Sequence, residues 1–354
     1  MRAPGRANLI GEHTDYNEGF VLPVALDAAA YVLGRRADDL RLRSLEAEGE
    51  VVVDLGTGEG PTDGWGRYVT AVVRALRDDG IGLHGLHGVL HSEVPAGSGL
   101  SSSAALEIAV ATAISVESLD AVRLAEICRR AENHYVGVDT GIMDQLASAA
   151  GRAGHALLID CRDNRFSEVP VPDDLLVLVI DSTVQRGLDD SAYNERRKQC
   201  RAACRALGVA SLRDADLGLL ESHDDLDQVI VRRARHVITE NARVLECVDA
   251  LKEGRLDRIE ALFEASHRSL AEDYEVSIPE LDALVEAARA TEGILGARLT
   301  GAGFGGCTVN LVEEPRARSA AAEAVARYAS STGNRARFWL SHPAQGATKL
   351  PLPG

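Results

Sequence analysis

The chain has 354 residues, enough for about two domains with sizeable cores. Its net charge of −16 argues against nucleic acid and anionic membranes as partners, because both repel a negatively charged protein. Hydrophobic residues make up 45% and charged residues 26%, as in ordinary globular proteins, and no apolar run is long enough to cross a bilayer.

The N-terminus and the cysteines indicate the compartment. The first residues, MRAPGRANLIGEH, lack the apolar core of a signal peptide. The six cysteines are scattered without a CxxC pair, so we expect free thiols rather than a disulfide framework or a zinc site. Together these features predict a cytoplasmic protein.

The first half of the chain mixes strand-like and helical segments. A turn at 17–19 precedes a strand-like run at 20–26, and apolar residues at helical spacing predict a helix at 65–78. The other predicted segments, in chain order, are strands at 51–55 and 88–94, an alanine-rich helix at 104–118, a second helix around 124–135 and a third at 141–150.

The second half begins after a proline-containing segment at 169–174, which lies between β-type runs at 155–161 and 175–182. We take this segment as the domain boundary and expect domains at 1–168 and 169–354. The segments that follow are a mostly helical stretch at 190–293, strands at 297–300 and 307–312, a helix at 317–329 and a strand at 336–341. Without strict βαβ repetition, this order predicts an α+β fold.

The most informative stretch is 94–107, VPAGSGLSSSAALE, a glycine-rich loop that leads into a helix. Such a loop presents backbone N–H groups at a helix N-terminus and suits a phosphate, although Gly and Ser also fill ordinary turns and N-caps. No Gly-Lys-Ser/Thr follows, so the loop is not a Walker A motif. Ser103 is either a Mg²⁺ ligand or a plain N-cap.

Two carboxylates on later helices are further candidates. Glu132 lies at the edge of an apolar helix stripe, where a carboxylate is either half-solvated, the commoner case, or holds a cation. Asp144 falls in a first helical turn, where the dipole stabilises its ionised form. A rigidly held carboxylate of this kind can act as a general base toward a substrate hydroxyl, although many first-turn aspartates do nothing else.

Four polar side chains crowd the start of the chain: Arg6, Glu12, His13 and Asp15. A solvated loop explains them, and so does a sugar site, because a sugar needs many hydrogen-bond partners. Near the other end, 299–309 contains a formal GxGxxG. The β-branched residues after it predict a strand where a Rossmann fingerprint requires a helix, so we interpret this stretch as a strand-turn-strand.

Three segments together resemble the motifs of the superfamily of galactokinase, homoserine kinase, mevalonate kinase and phosphomevalonate kinase. They are APGRANLIGEHTDYN at 3–17, PAGSGLSSSAALE at 95–107 and LTGAGFGGC at 299–307. Within the superfamily the chain is similar to the galactokinase family, whose signature resembles GEHTDYN at 11–17. Further similar segments are AENHYVGVDTGIMDQLAS at 131–148, GHALLIDCR at 154–162, SAYNERRKQC at 191–200 and RHVITENAR at 235–243.

This resemblance implies a fold, an activity and a set of site residues. The fold has an N-terminal domain like ribosomal protein S5 domain 2 and a ferredoxin-like C-terminal domain, with the site between them. The implied activity is transfer of the ATP γ-phosphoryl group to the C1 hydroxyl of α-D-galactose with Mg²⁺, by a monomer. By this resemblance Asp144 is the catalytic base and Arg6 lies beside the reacting oxygens. The residues implied to contact the sugar are Glu12, His13, Thr14, Asp15, Gly141, Asp144 and Tyr193. Those implied for ATP are Gly97, Ser98, Gly99, Leu100, Ser101, Ser102 and Ser103, and Ser103 and Glu132 are implied for Mg²⁺.

The chain departs from the family pattern at two places. Members usually carry further residues before the APGR segment, so we expect a shortened strand leading into Arg6. Ala302 stands where glycine is frequent, a small change that we expect to be tolerated. Three alternatives remain open: a sugar-sensing regulator that binds ATP and galactose, disfavoured because Ser103-Ala104-Ala105 is intact; a kinase of N-acetylgalactosamine, galacturonate or arabinose; and a nicotinamide dehydrogenase.

Overall fold

The computed structural model describes residues 1–184 and 190–351. The first half is built on a five-stranded sheet in the order β1-β3-β6-β4-β5, in which only the β4–β6 pair is parallel. Its strands are β1 (Arg2–Asn8), β3 (Pro23–Ala37), β4 (Leu40–Ser44), β5 (Glu50–Val53) and β6 (Gly85–Ser92). A smaller sheet joins β2 (Phe20–Val21), β7 (His155–Asp160) and β8 (Arg165–Pro170).

The helices of the first half pack around α2, which carries the glycine-rich loop at its N-terminus. Ten of its thirteen residues are buried, and its alanines allow close approach of β1, β3 and the other helices. These helices are α1 (Gly66–Asp78), α2 (Ser102–Ile114), α3 (Ala121–Arg130), a π-helical turn (Ala131–Val136) and α4 (Met143–Ala150). These contacts fix the position of α2 and of the end of the loop that leads into it.

The second half contains a four-stranded antiparallel sheet in the order β10-β11-β9-β12. Its strands are β9 (Leu175–Asp181), β10 (Ile294–Thr300), β11 (Cys307–Glu313) and β12 (Arg337–Ser341). The helices are α5 (Asp190–Leu207), α6 (Leu217–Glu221), α7 (Gln228–Glu253), α8 (Leu256–Glu272), α9 (Pro279–Arg289) and α10 (Ala317–Thr332). All seven residues of β9 are buried, which explains its continuous apolar sequence.

One apolar core runs through both halves. Ile108 of α2 and Val244 of α7 belong to it, together with Val179 of β9 and Val309 of β11. Because both halves share this core, they are packed against a common interior. No described helix of residues 1–184 or 190–351 is long and apolar enough to cross a membrane.

The predicted α+β class and most predicted elements are confirmed, and the differences have physical reasons. The strand run predicted at 20–26 is instead split between β2 and the 15-residue β3, part of which is apolar on both faces and so lacks the alternation that marks a strand. The predicted helix at 104–118 begins earlier, at Ser102, and ends at Ile114. β1 begins at Arg2, the second residue of the chain, and pairs with β3 from there.

The predicted domain boundary does not coincide with the end of a strand. The boundary placed at 168 falls inside β8, which ends at Pro170 because it completes the small sheet with β7. Part of the chain assigned to the second domain also returns to the first: the Gly346 amide donates to the carbonyl of Gly151 at 2.7 Å. The last three residues of that assigned domain, 352–354, lie outside the described residues.

Candidate active site

The loop between β6 and α2 bends through residues with positive φ. Gly97 and Gly99 have φ of 74° and 83°, and Ser101, which precedes α2, has φ of 59°. The first N–H groups of a helix have no partner within the helix, and the macrodipole adds positive charge there. The loop therefore offers backbone donors to an anion.

The seven residues predicted for this loop do not all reach its surface. Gly97, Gly99, Ser102 and Ser103 are exposed or half-buried, whereas Ser98, Leu100 and Ser101 are buried. The Ser98 hydroxyl donates to the carbonyl of Pro95 at 2.8 Å, and the Leu100 carbonyl accepts from the Arg6 amide at 3.1 Å. The buried residues thus shape the loop from beneath, and the others face the cleft.

Arg6 and Asp144, 138 residues apart, meet at the mouth of this loop. Arg6 Nε donates to Asp144 Oδ1 at 2.9 Å, and Arg6 Nη2 lies 2.7 Å from the same oxygen. Arg6 Nη1 also donates to the Gly99 carbonyl at 2.6 Å, and the Ser101 hydroxyl donates to Asp144 Oδ2 at 2.5 Å. The Asp144 side chain is 25% exposed. A base candidate is therefore oriented by two partners and still open to the cleft.

Asp15 lies half-buried beside this pair, at the start of a 3₁₀ turn (Asp15–Asn17). A Cβ on Gly141 would lie 2.0 Å from Asp15 Oδ2, so only glycine lets the two segments approach this closely. Burial is the main cause that raises the pKa of Asp15 to about 6, and the negative charge of Asp144 adds to it. Asp15 and Gly141, both predicted for the sugar, form one wall of the cleft.

Aromatic rings continue this wall. His13 Nδ1 lies 2.8 Å from the Tyr16 hydroxyl, and the His13 ring centroid is 5.8 Å from that of Tyr193. The Tyr16 hydroxyl lies 2.8 Å from the hydroxyl of Tyr274. His13 and Tyr193, which are far apart in sequence and were both predicted for the sugar, are therefore brought together.

Glu12 and Thr14 occupy more interior positions than their predicted contact with the sugar suggests. The Thr14 hydroxyl is fully buried and donates to the carbonyls of Gly11 and Phe20 at 2.8 and 2.6 Å. The Glu12 side chain is 2% exposed and accepts from Thr300 Oγ1 at 3.1 Å and from the amide of residue 301 at 3.0 Å. Both side chains therefore support the loop of residues 11–17 from its buried side.

A buried charge network that the sequence did not predict surrounds Glu12. Arg298 forms an ion pair with Glu12 and lies 3.7 Å from Glu240, and its guanidinium also donates to the Leu9 carbonyl at 3.0 Å. Burial raises the pKa of Glu12, with Arg298 opposing the shift. For Glu240 the positive charges of Arg243 and Arg298 outweigh the effect of burial and lower the pKa to about 2.

The candidate metal ligands also come together. Ser103 lies close to the Glu132 carboxylate, which accepts from Thr140 Oγ1 at 3.1 Å and Gln145 Nε2 at 2.8 Å. Gln145 reaches the fully buried Glu107 at 3.2 Å. Burial and the nearby Asp144 raise the pKa of Glu132, and burial likewise raises that of Glu107.

The third glycine-rich segment is the predicted strand-turn-strand. It connects β10 to β11, and Cys307 Sγ donates to the Ser98 carbonyl at 3.1 Å. The turn therefore abuts the phosphate-type loop from the second half of the chain. A Rossmann reading is wrong, because a strand follows the glycines.

Comparisons with known proteins identify the family of this chain. The galactokinase galactose-binding signature matches residues 1–36, and the profiles of the GHMP kinases N terminal domain and GHMP kinases C terminal match 67–152 and 247–331. A galactokinase of Roseiflexus sp. (strain RS-1) is 44% identical over 99% of this chain and 92% of its own. The chain belongs to the galactokinase family.

Solved structures of other kinases superpose on this chain and show that it has their fold. The galactokinase of Lactococcus lactis, crystallised with galactose, superposes with a TM-score of 0.91 and 34% identity over 99% of this chain and 94% of its own. The mevalonate kinase of Methanococcus jannaschii superposes with a TM-score of 0.69 and 17% identity over 98% of both chains, which shows the shared fold alone. The chain is thus an ATP-dependent kinase of the galactokinase type.

Sequence reasoning missed Ser101 as the partner of Asp144 and Arg298 as the centre of the buried network. Ser101 was hidden among three consecutive serines of equal chemistry. Arg298 carried a signal that could have been used: it is a lone charge in the apolar strand β10, and a buried charge requires a partner.

Proposed function

We propose that the protein transfers the γ-phosphoryl group of ATP to the C1 hydroxyl of α-D-galactose, giving galactose 1-phosphate and ADP. The observation that carries this proposal is the Arg6–Asp144 pair at the mouth of the loop before α2. Arg6, His13 and Asp15 lie within 1–36, the range matched by the galactose-binding signature, and Gly141 and Tyr193 join them from later in the chain. The proposed sugar site and the 97–103 loop therefore both border the Asp144 carboxylate.

In this proposal Asp144 accepts the proton of the attacking hydroxyl. Its position in the first turn of α4 and its contacts with Arg6 and Ser101 fix the carboxylate, which suits a reaction that depends mainly on positioning. Arg6 places a positive charge where negative charge develops on the transferring group. The two side chains thus share the work of proton transfer and charge neutralisation.

ATP would lie along the 97–103 loop. The exposed backbone of Gly97 and Gly99 and the N–H groups at the start of α2 can donate to phosphate oxygens. No lysine is needed in such a cradle, because the helix terminus itself supplies the partial charge. The turn between β10 and β11 closes the cradle from the opposite side through the Cys307–Ser98 contact.

The residues present fit a Mg²⁺ ion. Glu132 is buried beside Glu107, whose Oε1 has no hydrogen-bond partner among the described residues. Burial raises the pKa of both carboxyl groups, and a cation bound here would favour their ionised forms. Ser103 and Glu132 would hold the ion with a hydroxyl and a carboxylate, ligands that Mg²⁺ accepts alongside substrate phosphates. When bound, Mg²⁺ supplies neutralisation of phosphate charge.

Galactose would lie against Asp15, Gly141, His13 and Tyr193. Their carboxylate, imidazole and hydroxyl groups offer the mixed donors and acceptors that sugar hydroxyls require. Glu12 and Thr14 would act by fixing the loop that carries His13 and Asp15. We expect the protein to function as a monomer, which sedimentation can check.

A coupled assay tests the proposed function. Purified protein is supplied with ATP, Mg²⁺ and a panel of galactose, N-acetylgalactosamine, galacturonate, arabinose and glucose, and ADP release is followed. We expect galactose to give the highest kcat/KM. Turnover confined to another sugar would reassign the substrate, and binding of ATP and galactose without ADP release would indicate a sugar-sensing regulator instead.

A further inference from the structure

Arg197, on α5 one turn after Tyr193, bridges three elements at the edge of the sugar wall. Its Nη2 lies 2.9 Å from Asp139 Oδ2, and its Nη1 donates to the Asp139 carbonyl. The guanidinium also lies over the ring of Tyr16, 5.1 Å from the centroid. The Arg197 side chain is only 15% exposed, so these contacts are partly shielded from water and salt.

The bridge acts on a segment with no regular secondary structure of its own. The chain from 137 to 141 connects the π-helical turn to the region before α4, and Thr140 bonds Asn133 through its amide at 3.0 Å. Arg197 holds the same segment from the other half of the molecule. Two residues beyond Asp139 stands Gly141, whose Cα packs directly on Asp15. A displacement of Asp139 would therefore also move Gly141, which packs against Asp15.

The charges around Asp15 give Arg197 a second effect. The groups that interact with Asp15 come from several elements: Asp144 on α4, Arg6 on β1, Arg197 and Tyr193 on α5, Cys161 after β7, and the Tyr16 backbone amide on its own loop. The two positive charges are Arg6 and Arg197. Arg6 is already engaged by Asp144 and the Gly99 carbonyl, whereas Arg197 is paired with Asp139.

We infer that Arg197 is a positioning residue of the sugar site: it ties the 138–140 segment, which leads to Gly141 against Asp15, to α5. In support, the positive charge of Arg197 also favours the ionised form of Asp15. The inference rests on the proposed galactose kinase function. It assigns to the second half of the chain a role in sugar binding beyond the contact of Tyr193 itself. Because Asp15 has a pKa of about 6, loss of this positive charge should matter most in mildly acidic solution.

The test replaces Arg197 with glutamine and measures steady-state kinetics from pH 5 to 8. We expect galactose KM to rise about tenfold, with ATP KM changed by less than about twofold, since the anion loop is untouched. We also expect the acidic limb of kcat/KM for galactose to move to higher pH, because removing a cation raises the pKa of Asp15. A merely structural role would lower activity at all pH values and leave this limb in place.

Three matched variants separate anchoring from charge. Arg197→Lys keeps the charge but loses the forked contact, so KM should rise while the limb stays. Asp139→Asn removes the ion pair but leaves the Arg197 charge, so KM should rise without a shift of the limb to higher pH. Arg201→Gln removes an exposed arginine one turn along α5 and should leave both quantities unchanged.

The outcomes distinguish this inference from the proposed function. If the unmodified protein phosphorylates galactose but Arg197→Gln changes neither galactose KM nor the acidic limb, the inference is overturned and the function stands. If the unmodified protein phosphorylates no sugar of the panel, the proposed function itself fails. Should Arg197→Gln fold poorly by circular dichroism, the Lys and Asp139→Asn variants still decide the anchoring role, since unchanged KM in both contradicts it.

Discussion

The Arg6–Asp144 and Arg298–Glu12 ion pairs differ in how far they are exposed to solvent, and therefore in what they can do. Arg6 and Asp144 meet at the cleft, where the Asp144 side chain is 25% exposed. Arg298 and Glu12 meet behind the loop of residues 11–17, where their side chains are 0% and 2% exposed. Both pairs join residues distant in sequence. Only the first leaves a carboxylate oxygen within reach of a substrate.

The difference follows from the partners of each arginine. Arg6 lies on β1 next to a bulge and donates to Asp144 and to the Gly99 carbonyl, and the Asp144 carboxylate remains partly exposed. Arg298 is enclosed by carbonyls of β1 and the loop after it, and by Glu12 and Glu240. A charge enclosed in this way contributes to specificity of the fold rather than to chemistry, because no substrate can reach it.

The largest expected effect separates the two pairs by activity. Asp144→Asn should lower kcat by about 10²- to 10⁴-fold through loss of the general base. ATP should still bind, because the loop backbone is unchanged, and the free energy of unfolding should fall by only about 1 kcal/mol or less. Stopped assays and ATP titration measure both quantities. Near-normal turnover would rule out Asp144 as the base.

The next effect is on stability and concerns the buried pair. Arg298→Met should lower the free energy of unfolding by about 3–5 kcal/mol, because Glu12 loses its buried counter-charge. Urea denaturation measures this change. Adding Glu12→Gln to the same chain should recover part of the loss, since it removes the unpaired charge. Equal stability of the single variant and the unmodified protein would contradict the assigned network.

A pH prediction concerns His236, which borders the buried network and contacts the Glu12 carbonyl at 3.1 Å. Burial lowers its pKa from 6.5 to about 4, so between these values the unfolded chain binds the proton and the folded protein does not. This group should therefore cost stability as pH falls from 6.5 to 4, by about 3 kcal/mol.

The measurement is a difference between two proteins. Urea midpoints of the unmodified protein and His236→Gln are compared at pH 7 and pH 4.5, which cancels carboxylates that titrate in both. We expect the variant to lose less stability on acidification. His134→Gln, which removes an exposed imidazole, serves as the control. Parallel losses in all three proteins would show that His236 is not responsible.

The smallest effect lies at the cleft again. Ser103→Ala should raise the Mg²⁺ concentration needed for half-maximal activity by about tenfold, as loss of one ligand-sphere group typically does. Saturating Mg²⁺ should restore most of kcat. Ser115→Ala, at the other end of the same helix, should leave the Mg²⁺ requirement unaltered. An unchanged requirement in Ser103→Ala would argue against its role as a ligand.

Several candidate residues named from the sequence lie close together in the structure, but their mutual contacts could not be predicted. Arg6, Asp15 and Asp144 were named from local chemistry and family motifs, and the structure brings them together. Their mutual contacts were less accessible: nothing local distinguishes Ser101 from Ser102 or Ser103, and only the fold directs its hydroxyl to Asp144. Likewise, the motif residue Glu12 was expected at the sugar, but its carboxylate accepts hydrogen bonds from Thr300 and the residue after it.

The sequence by itself determined the family, the α+β class, the order of most helices and strands, and the residue types that carry chemistry. These depend on short-range periodicity, turn residues and motifs, which act within a few positions. Tertiary structure alone decided that β3 runs through 15 residues, that Arg298 neutralises Glu12, and that Arg197 reaches Asp139. Such pairings join distant residues, and only packing of the two halves around a shared core brings them within contact distance.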